Sequence, residues 1–437
     1  MQSLLILGRQ PALGLAELES LYGADKLTPI GDQAVIVDVD PCLLAFDRLG
    51  GSVKFCKILT SLDTTNWGQI EKFLLKVSPD HSRGVPEGKM QLGLSLYGFS
   101  EGVRRIEATG LSLKKAIRKT GRSVRLIPNK TAELNSAQVI HNHLTGLNGW
   151  ELVFVRSGTQ TIVAQTVKVQ DIEAYTRRDR QRPKRDAKVG MLPPKLAQIL
   201  INLASGAIDE DKLESICDIP AGQPIPRKIL AKTVLDPFCG TGVVLQEASL
   251  MGYEVYGSDL QSRMVDYSRQ NLDWLNNLYD FKFKNQKEDH KPEATTTELG
   301  SATHRPGSDT CRLETGDATT HQWTPPIDLV AAETYLGRPF TSTPTPEVLA
   351  QTIADCNLII KKFLRNIHGQ LTKGTRLCLA IPAWQTKPNQ FKHLPLIDQI
   401  EDLGYNRVDL KHAGNDQLIY YRSDQIVARK LIVITRK

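Results

Sequence analysis

Long apolar runs are missing from this 437-residue chain. None approaches the roughly 18–20 residues that a helix needs to cross a bilayer, so no membrane association is expected. The start, Met1-Gln-Ser-Leu-Leu-Ile-Leu-Gly-Arg9, has no basic segment ahead of its short apolar one and does not read as a secretory signal. Cysteine is sparse. The seven residues Cys42, Cys56, Cys217, Cys239, Cys311, Cys356 and Cys378 are scattered, odd in number and contain no C-x-x-C pair. Neither a disulfide framework nor a zinc ribbon is signalled, and no metal site is expected. These absences set a reduced, cytoplasmic protein as the expectation. Two nucleotide signatures are also lacking. Gly240-Thr-Gly242 is followed by Val243-Val-Leu245 instead of completing G-x-G-x-x-G, and no G-x-x-x-x-G-K-[ST] occurs. Dinucleotide and P-loop phosphate cradles are thereby excluded.

What is present is an ordinary globular composition, 24% charged and 41% hydrophobic, in a chain long enough for two or three domains. The net charge of +7 divides unevenly. Residues 1–190 carry 27 Lys and Arg against 19 Asp and Glu, and residues 191–437 carry 28 against 29. The basic excess belongs to the first half, which suggests a polyanion-binding half beside a neutral one.

Patterning divides the chain in the same way. Strand-like and helical segments mix over the first 170 residues, for example Ser3–Leu7, Ala34–Val39, Met90–Leu96 and Trp150–Arg156 as strands and Leu13–Leu21, Trp67–Val77 and Leu111–Lys119 as helices. Arg177 to Lys188 is the densest basic stretch and reads as a linker or ordered loop. From Thr233 strands and helices alternate. Strands are expected at Thr233–Asp236, Glu254–Ser258, Arg312–Thr315, Asp328–Ala332, Thr375–Ile381 and Ile426–Ile434. Helices are expected at Val243–Met251, Met264–Leu275, Pro346–Ile367 and Leu394–Leu403. The alternation predicts an open, mostly parallel α/β sheet. A polar stretch over 281–310 reads as a surface insertion. The expected organisation is an α+β part over 1–50, a second α+β domain over 51–170, a basic linker over 171–190 and the α/β sheet over 191–437.

Chemistry concentrates at the expected strand ends. Asp236-Pro237-Phe238-Cys239-Gly240-Thr241-Gly242 falls where a strand gives way to a helix. Its glycines allow a ligand close to the backbone, and the helix start offers free N–H groups. The next strand ends at Asp259-Leu260, where a carboxylate can accept hydrogen bonds from both hydroxyls of a ribose. The third ends at Asp317-Ala318. Without a phosphate cradle, an adenine nucleoside lacking a pyrophosphate suits these groups, and S-adenosylmethionine is such a ligand. The block resembles motif I of class I methyltransferases, in the form found in RNA and DNA amino-methyltransferases. The resemblance implies that Asp236–Gly242 wraps the methionine part, Asp259 holds the ribose and Asp317 with Ala318 borders the adenine. Cys239 reads as a small loop residue.

In amino-methyltransferases the fourth strand ends in [DN]-P-P-[YFW]. An exocyclic base amine is a poor nucleophile, and an oxygen acceptor with a backbone carbonyl holds its hydrogens while an aromatic ring stacks on the flipped base. Here the strand runs into Glu333-Thr334-Tyr335-Leu336-Gly337. Glu333 takes the acid position, Thr334 supplies the carbonyl, and Tyr335 can stack although it stands one place early.

Several segments of the first half resemble THUMP-containing tRNA guanosine N2-methyltransferases that act at position ten. They are Leu5–Glu19, Gly93–Gly98, Leu113–Arg118, Gln165–Arg180 and, before motif I, Gly190–Ala204. Order and spacing together carry the resemblance. It implies a Rossmann-like class I methyltransferase sheet preceded by an α+β N-terminal part and a THUMP-like domain that grip tRNA. Lys114, Lys115, Arg118, Lys119, Arg122, Arg125, Arg178 and Arg180 are the candidate RNA-binding residues, because phosphate contacts by Lys and Arg supply sequence-independent affinity. Arg180 and Lys195 are alternatively placed to close the cofactor or target pocket. The expected activity is S-adenosylmethionine-dependent methylation of a guanosine N2 amine in tRNA. The alternatives are a DNA amino-methyltransferase and a non-catalytic RNA-binding protein that keeps the fold. Relatives of this family sometimes use a small activating protein.

Overall fold

A computed structural model describes residues 2–186, 192–279, 311–340, 342, 344–387, 390–422 and 425–437. The expected surface insertion and the end of the basic stretch, including Lys188, lie outside these residues. The first unit runs β1 (Ser3–Leu7), α1 (Pro11–Tyr22), β2 (Leu27–Ile30), β3 (Ala34–Val37), β4 (Ser52–Leu62), α2 (Trp67–Ser82), β5 (Met90–Tyr97), α3 (Val103–Arg118), β6 (Val124–Leu126), α4 (Ser136–His141), β7 (Gly149–Ser157) and β8 (Gln160–Val169). One sheet in the order β2-β3-β1-β4-β8-β7-β5-β6 joins all of it. This sheet crosses the expected division at residue 50, because β1 pairs with β4 on the far side of it.

Three strands of this unit, β2, β4 and β8, escape sequence patterning. β4 mixes charge into a buried strand because the Lys54 ammonium pairs with Glu151 of β7, both fully buried. β8 follows β7 through a tight turn in which Gly158 takes φ 59°. The amphipathic helices α2 and α3 bury Ile70, Leu74, Ile106, Leu113 and Ile117 against Leu92, Leu94 and Phe154 of the sheet.

The first part of the expected linker is helical. Asp171 caps α5 (Ile172–Arg180) by accepting from the Glu173 and Ala174 amides. The second unit follows with α6 (Pro194–Ser205), α7 (Glu210–Cys217), α8 (Arg227–Leu230), β9 (Thr233–Asp236), α9 (Val243–Leu250), β10 (Glu254–Asp259), α10 (Ser262–Leu278), β11 (Arg312–Thr315), β12 (Leu329–Glu333), α11 (Pro346–His368), β13 (Arg376–Lys387), β14 (Gln390–Lys392), β15 (Tyr405–Arg407), β16 (Ile419–Tyr420) and β17 (Val427–Arg436). Where Leu394–Leu403 reads as a helix, the chain forms only a short 3-10 turn over Pro395–Gln399, and the Leu396 amide donates to the Asn357 side chain instead of to a helical carbonyl.

The second sheet has the order β11-β10-β9-β12-β13-β17-β15, with β14 on β13 and β16 on β17. β9 to β13 pair in parallel and β17 is antiparallel to β13. Both faces are covered, so the central strands Val234–Leu235 and Leu329–Ala332 are apolar throughout. α6 and α9 pack on one face, and α11, started by Thr345 and Pro346, packs Ile360, Phe363 and Leu364 on the other. This is a Rossmann-like, doubly wound α/β architecture, with its order reversal between β9 and β12.

A buried polar knot ties the two units together. Asn202 of α6 donates to Glu17 of α1 and accepts from the Arg48 guanidinium, which also donates to the Tyr253 hydroxyl. Glu17 takes the Gly50 and Gly51 amides at 2.9 and 2.8 Å.

Candidate active site

β9 and β12 diverge at the order reversal, and a cavity of about 770 Å³ opens at their carboxyl ends. Its volume is in the range of small-molecule sites. The β9–α9 turn forms its floor. Gly240 and Gly242 take φ 50° and 80°, a left-handed backbone that L side chains rarely adopt. A side-chain carbon on Gly242 would stand 3.1 Å from the Ser268 backbone, so α10 leaves room only for glycine. α10 also fixes the loop by hydrogen bonds, Ser268 Oγ to the Gly240 carbonyl at 2.8 Å and Asn271 Nδ2 to the Thr241 carbonyl at 2.8 Å. Phe238 is braced edge-on against Phe363 of α11, ring centroids 5.0 Å apart.

Of the residues expected at the cofactor, Asp236 to Thr241, Asp259, Leu260, Asp317 and Ala318 all line this cavity. Gly242 lies behind it, against Ser268. Asp259 accepts the Gly240 amide at 3.0 Å on one oxygen and the Gln261 amide at 2.9 Å on the other. Its carboxylate is thus fixed at the rim, and burial pushes its pKa up. Leu260, 69% exposed, presents an apolar side chain beside it. Asp317 accepts the Thr319 amide at 2.9 Å. Asp236 is fully buried at the strand end and accepts the Phe238 amide at 3.1 Å. Burial first, then the nearby Asp259 and Glu333 charges, push its pKa well up. Burial likewise pushes the Cys239 thiol well up, which disfavours a thiolate in this loop.

Glu333, Thr334 and Tyr335 line the same cavity. Thr334 is buried and ties its amide and hydroxyl to the Ala380 carbonyl of β13, at 3.0 and 3.2 Å. Tyr335 is 42% exposed at the mouth. The strap then turns at Gly337, φ 85°, where a side-chain carbon would meet Thr352 Cγ2 at 2.7 Å.

One residue of the site escapes sequence reasoning. Arg429 of β17 donates from Nε to Glu333 Oε1 at 2.5 Å, both side chains being largely buried. The available signal is the pair Arg429-Lys430 set between the apolar stretches Val427-Ala428 and Leu431–Ile434. A cation here offsets the cost of burying Glu333 close to Asp236.

The basic candidates separate by environment. Lys115, Arg118, Lys119 and Arg125 are exposed and Lys114 half-buried, on α3 and the edge strand β6. Arg122 is committed elsewhere, because its guanidinium donates to the Val85 and Pro86 carbonyls at 2.6 and 2.7 Å. Arg178 is a correction. It is 7% exposed and its Nε donates to Glu247 at 2.6 Å, so it pins α5 to α9 and offers nothing to a phosphate. Arg180 and Lys195 do not line the site cavity and so do not close it; they border a separate one. Among the described residues no group of three or more His, Cys, Asp or Glu could hold a metal ion, and no helix is long and apolar enough to cross a membrane.

No protein-family model matches the chain. Short segments resemble curated proteins. Over 83 residues the chain is 40% identical to the tRNA (guanine(10)-N2)-dimethyltransferase of Methanothermobacter thermautotrophicus, 19% of this chain and 18% of that protein. Over 116 residues it is 30% identical to the protein of the same name from Methanocaldococcus jannaschii, 26% of each. The matched parts therefore span about a quarter or less of these relatives. The crystal structure of TrmN from Thermus thermophilus superposes over 100% of both chains with a TM-score of 0.51 at 14% identity. That likeness extends to both units and establishes the fold.

Proposed function

We propose that this protein is an S-adenosylmethionine-dependent RNA methyltransferase whose acceptor is the exocyclic N2 amine of a guanosine in tRNA. The observation that carries the reading is the convergence, in one cavity at the sheet's order reversal, of the Asp236–Thr241 loop, Asp259, Asp317 and the Glu333–Tyr335 strap. The similarity to tRNA (guanine(10)-N2)-dimethyltransferases supports the substrate class.

The cavity chemistry suits the cofactor. Asp236, Asp259, Asp317 and Glu333 line it, and burial and mutual repulsion raise Asp236. A ligand that carries both an ammonium and a sulfonium relieves that repulsion. Asp259, oriented by two backbone amides, would accept the ribose hydroxyls, with Leu260 and Ala318 against the adenine faces. The bound cofactor supplies an electrophilic methyl group.

The remaining work falls to this chain's own side chains. Tyr335 stacks on a base turned out of its helix. Glu333 and the Thr334 carbonyl accept the two amine hydrogens and aim the nitrogen lone pair, so that orientation supplies most of the acceleration. As the nitrogen gains its methyl group it loses a proton, and Glu333 is placed to accept it. The exposed cations on α3 and β6 grip phosphates at a distance from the chemistry.

Methyl transfer from labelled cofactor to total tRNA and to duplex DNA tests the reading, followed by nucleoside mass spectrometry of the product. Label in N2-methylated guanosine of tRNA is expected. Label only in DNA, or cofactor binding with no turnover on any tRNA, overturns it.

A further inference from the structure

A second cavity, of about 490 Å³, lies where the two units meet. The segment leading into α6 borders both cavities: Leu192 lines the site, while Pro193, with Pro194 and Lys195 at the start of the helix, lines this second space. Its walls carry four cations, Arg9 from the β1–α1 loop, Arg180 from α5, Lys195 from α6 and Arg422 from the loop after β16, against Asp179 as the acid among its described lining residues. Gly50 and Gly51 leave part of the wall without side chains.

The cations are held in place for an incoming charge. Arg9 donates from Nη2 to the Tyr421 carbonyl at 2.9 Å, and Arg422 from Nε to the Tyr420 hydroxyl at 3.1 Å. The Lys195 ammonium stands 5.0 Å from the centre of the Tyr175 ring, and no carboxylate lies within ion-pair distance of it among the described residues. Burial lowers its pKa. A partly desolvated cation facing an aromatic ring is incompletely compensated, and a bound anion removes that cost.

We infer that this cavity receives the sugar-phosphate backbone next to the nucleotide whose base enters the site cavity, which makes Arg9, Arg180, Lys195 and Arg422 a phosphate clamp at the junction of the two units. The inference rests on the RNA methyltransferase reading and deepens it. Adjacent residues of the chain, Leu192 and Pro193, border the two cavities, so a backbone held in this one would lie close to a base in the other. A small free phosphate compound would use the same groups.

Lys195→Gln and Arg180→Gln in the full-length protein test it, with Lys195→Arg keeping the charge. Wild-type turnover on tRNA is measured first, and its absence overturns the functional reading itself. Given that turnover, each Gln variant is expected to weaken tRNA binding and to flatten the slope of log affinity against log salt by about 0.7–0.9 per lost phosphate contact. Lys195→Arg should behave as wild type, and S-adenosylmethionine affinity by calorimetry should not move. Wild-type tRNA affinity and salt slope in both Gln variants overturn the clamp while leaving the enzyme reading intact. Inorganic pyrophosphate that binds wild type without competing with tRNA assigns the cavity to a free anion and also overturns it. If Lys195→Gln lowers Tm, exposed Arg180 carries the test.

Discussion

Arg429 and Glu333 form an ion pair across a strand that belongs to neither. β13 lies between β12 and β17, with Glu333 in register with Ala380 and Arg429 in register with Pro382. These two compact residues let the long side chains meet over them at 2.5 Å. A glutamate in place of a shorter acid reaches this partner, and the guanidinium then fixes one carboxylate oxygen while the other remains for the cavity. Glu333→Gln is expected to lower turnover about 10²–10⁴-fold with cofactor affinity unchanged. Arg429→Met should lower both turnover and Tm, because it leaves a buried carboxylate without its cation, a loss of about 3–5 kcal/mol. Steady-state kinetics and thermal melts check both, and unchanged turnover in Glu333→Gln would refute its role as acceptor.

Asp259 is oriented by the Gly240 and Gln261 amides, which take one carboxylate oxygen each. Asp259→Ala should therefore weaken S-adenosylmethionine by roughly 10–100-fold, the equivalent of about 1.5–3 kcal/mol for a charged hydrogen-bond acceptor. Turnover at saturating cofactor should fall much less. Calorimetry and a titration of initial rate against cofactor separate the two effects.

Arg178 and the α3 cations should respond in opposite ways. Arg178→Met breaks a buried pair with Glu247 and is expected to cost about 3–5 kcal/mol of stability. Lys115→Gln with Arg118→Gln should leave stability within about 0.5 kcal/mol and reduce tRNA affinity in a salt-dependent way. Denaturant melts beside binding isotherms at two salt concentrations decide it.

Glu17 makes stability depend on pH. Burial pushes its pKa from 4.5 up to about 7, against the opposing pull of Asn202, the Gly50 and Gly51 amides and Arg48. The folded state then holds this proton more tightly than the unfolded chain. Its contribution is full below about pH 4.5 and is lost as pH rises through about 7, a fall on the order of 3 kcal/mol. Glu17→Gln should flatten the Tm profile between pH 5 and 8. An equally steep profile in that variant would place the effect elsewhere.

Local sequence was enough to place the α/β sheet and the acids at its strand ends. β9 and β11 begin and end where alternation and strand-end acids place them, and the glycines of Asp236–Gly242 announce a turn that only they can make. Such signals are local, set by side-chain period and backbone freedom within a few residues. Contacts between distant segments decided the rest. Lys54 with Glu151 conceals a buried strand, because a charge breaks the apolar pattern that identifies one. Arg178 reads as a surface cation until Glu247, 69 residues on, is brought against it. Arg429 joins the site from 96 residues beyond Glu333 by the order of strands in the sheet. A charge in a sequence carries no record of whether water or an opposite charge will surround it; folding makes that choice, and with it separates the exposed cations on α3 from those that hold the fold together.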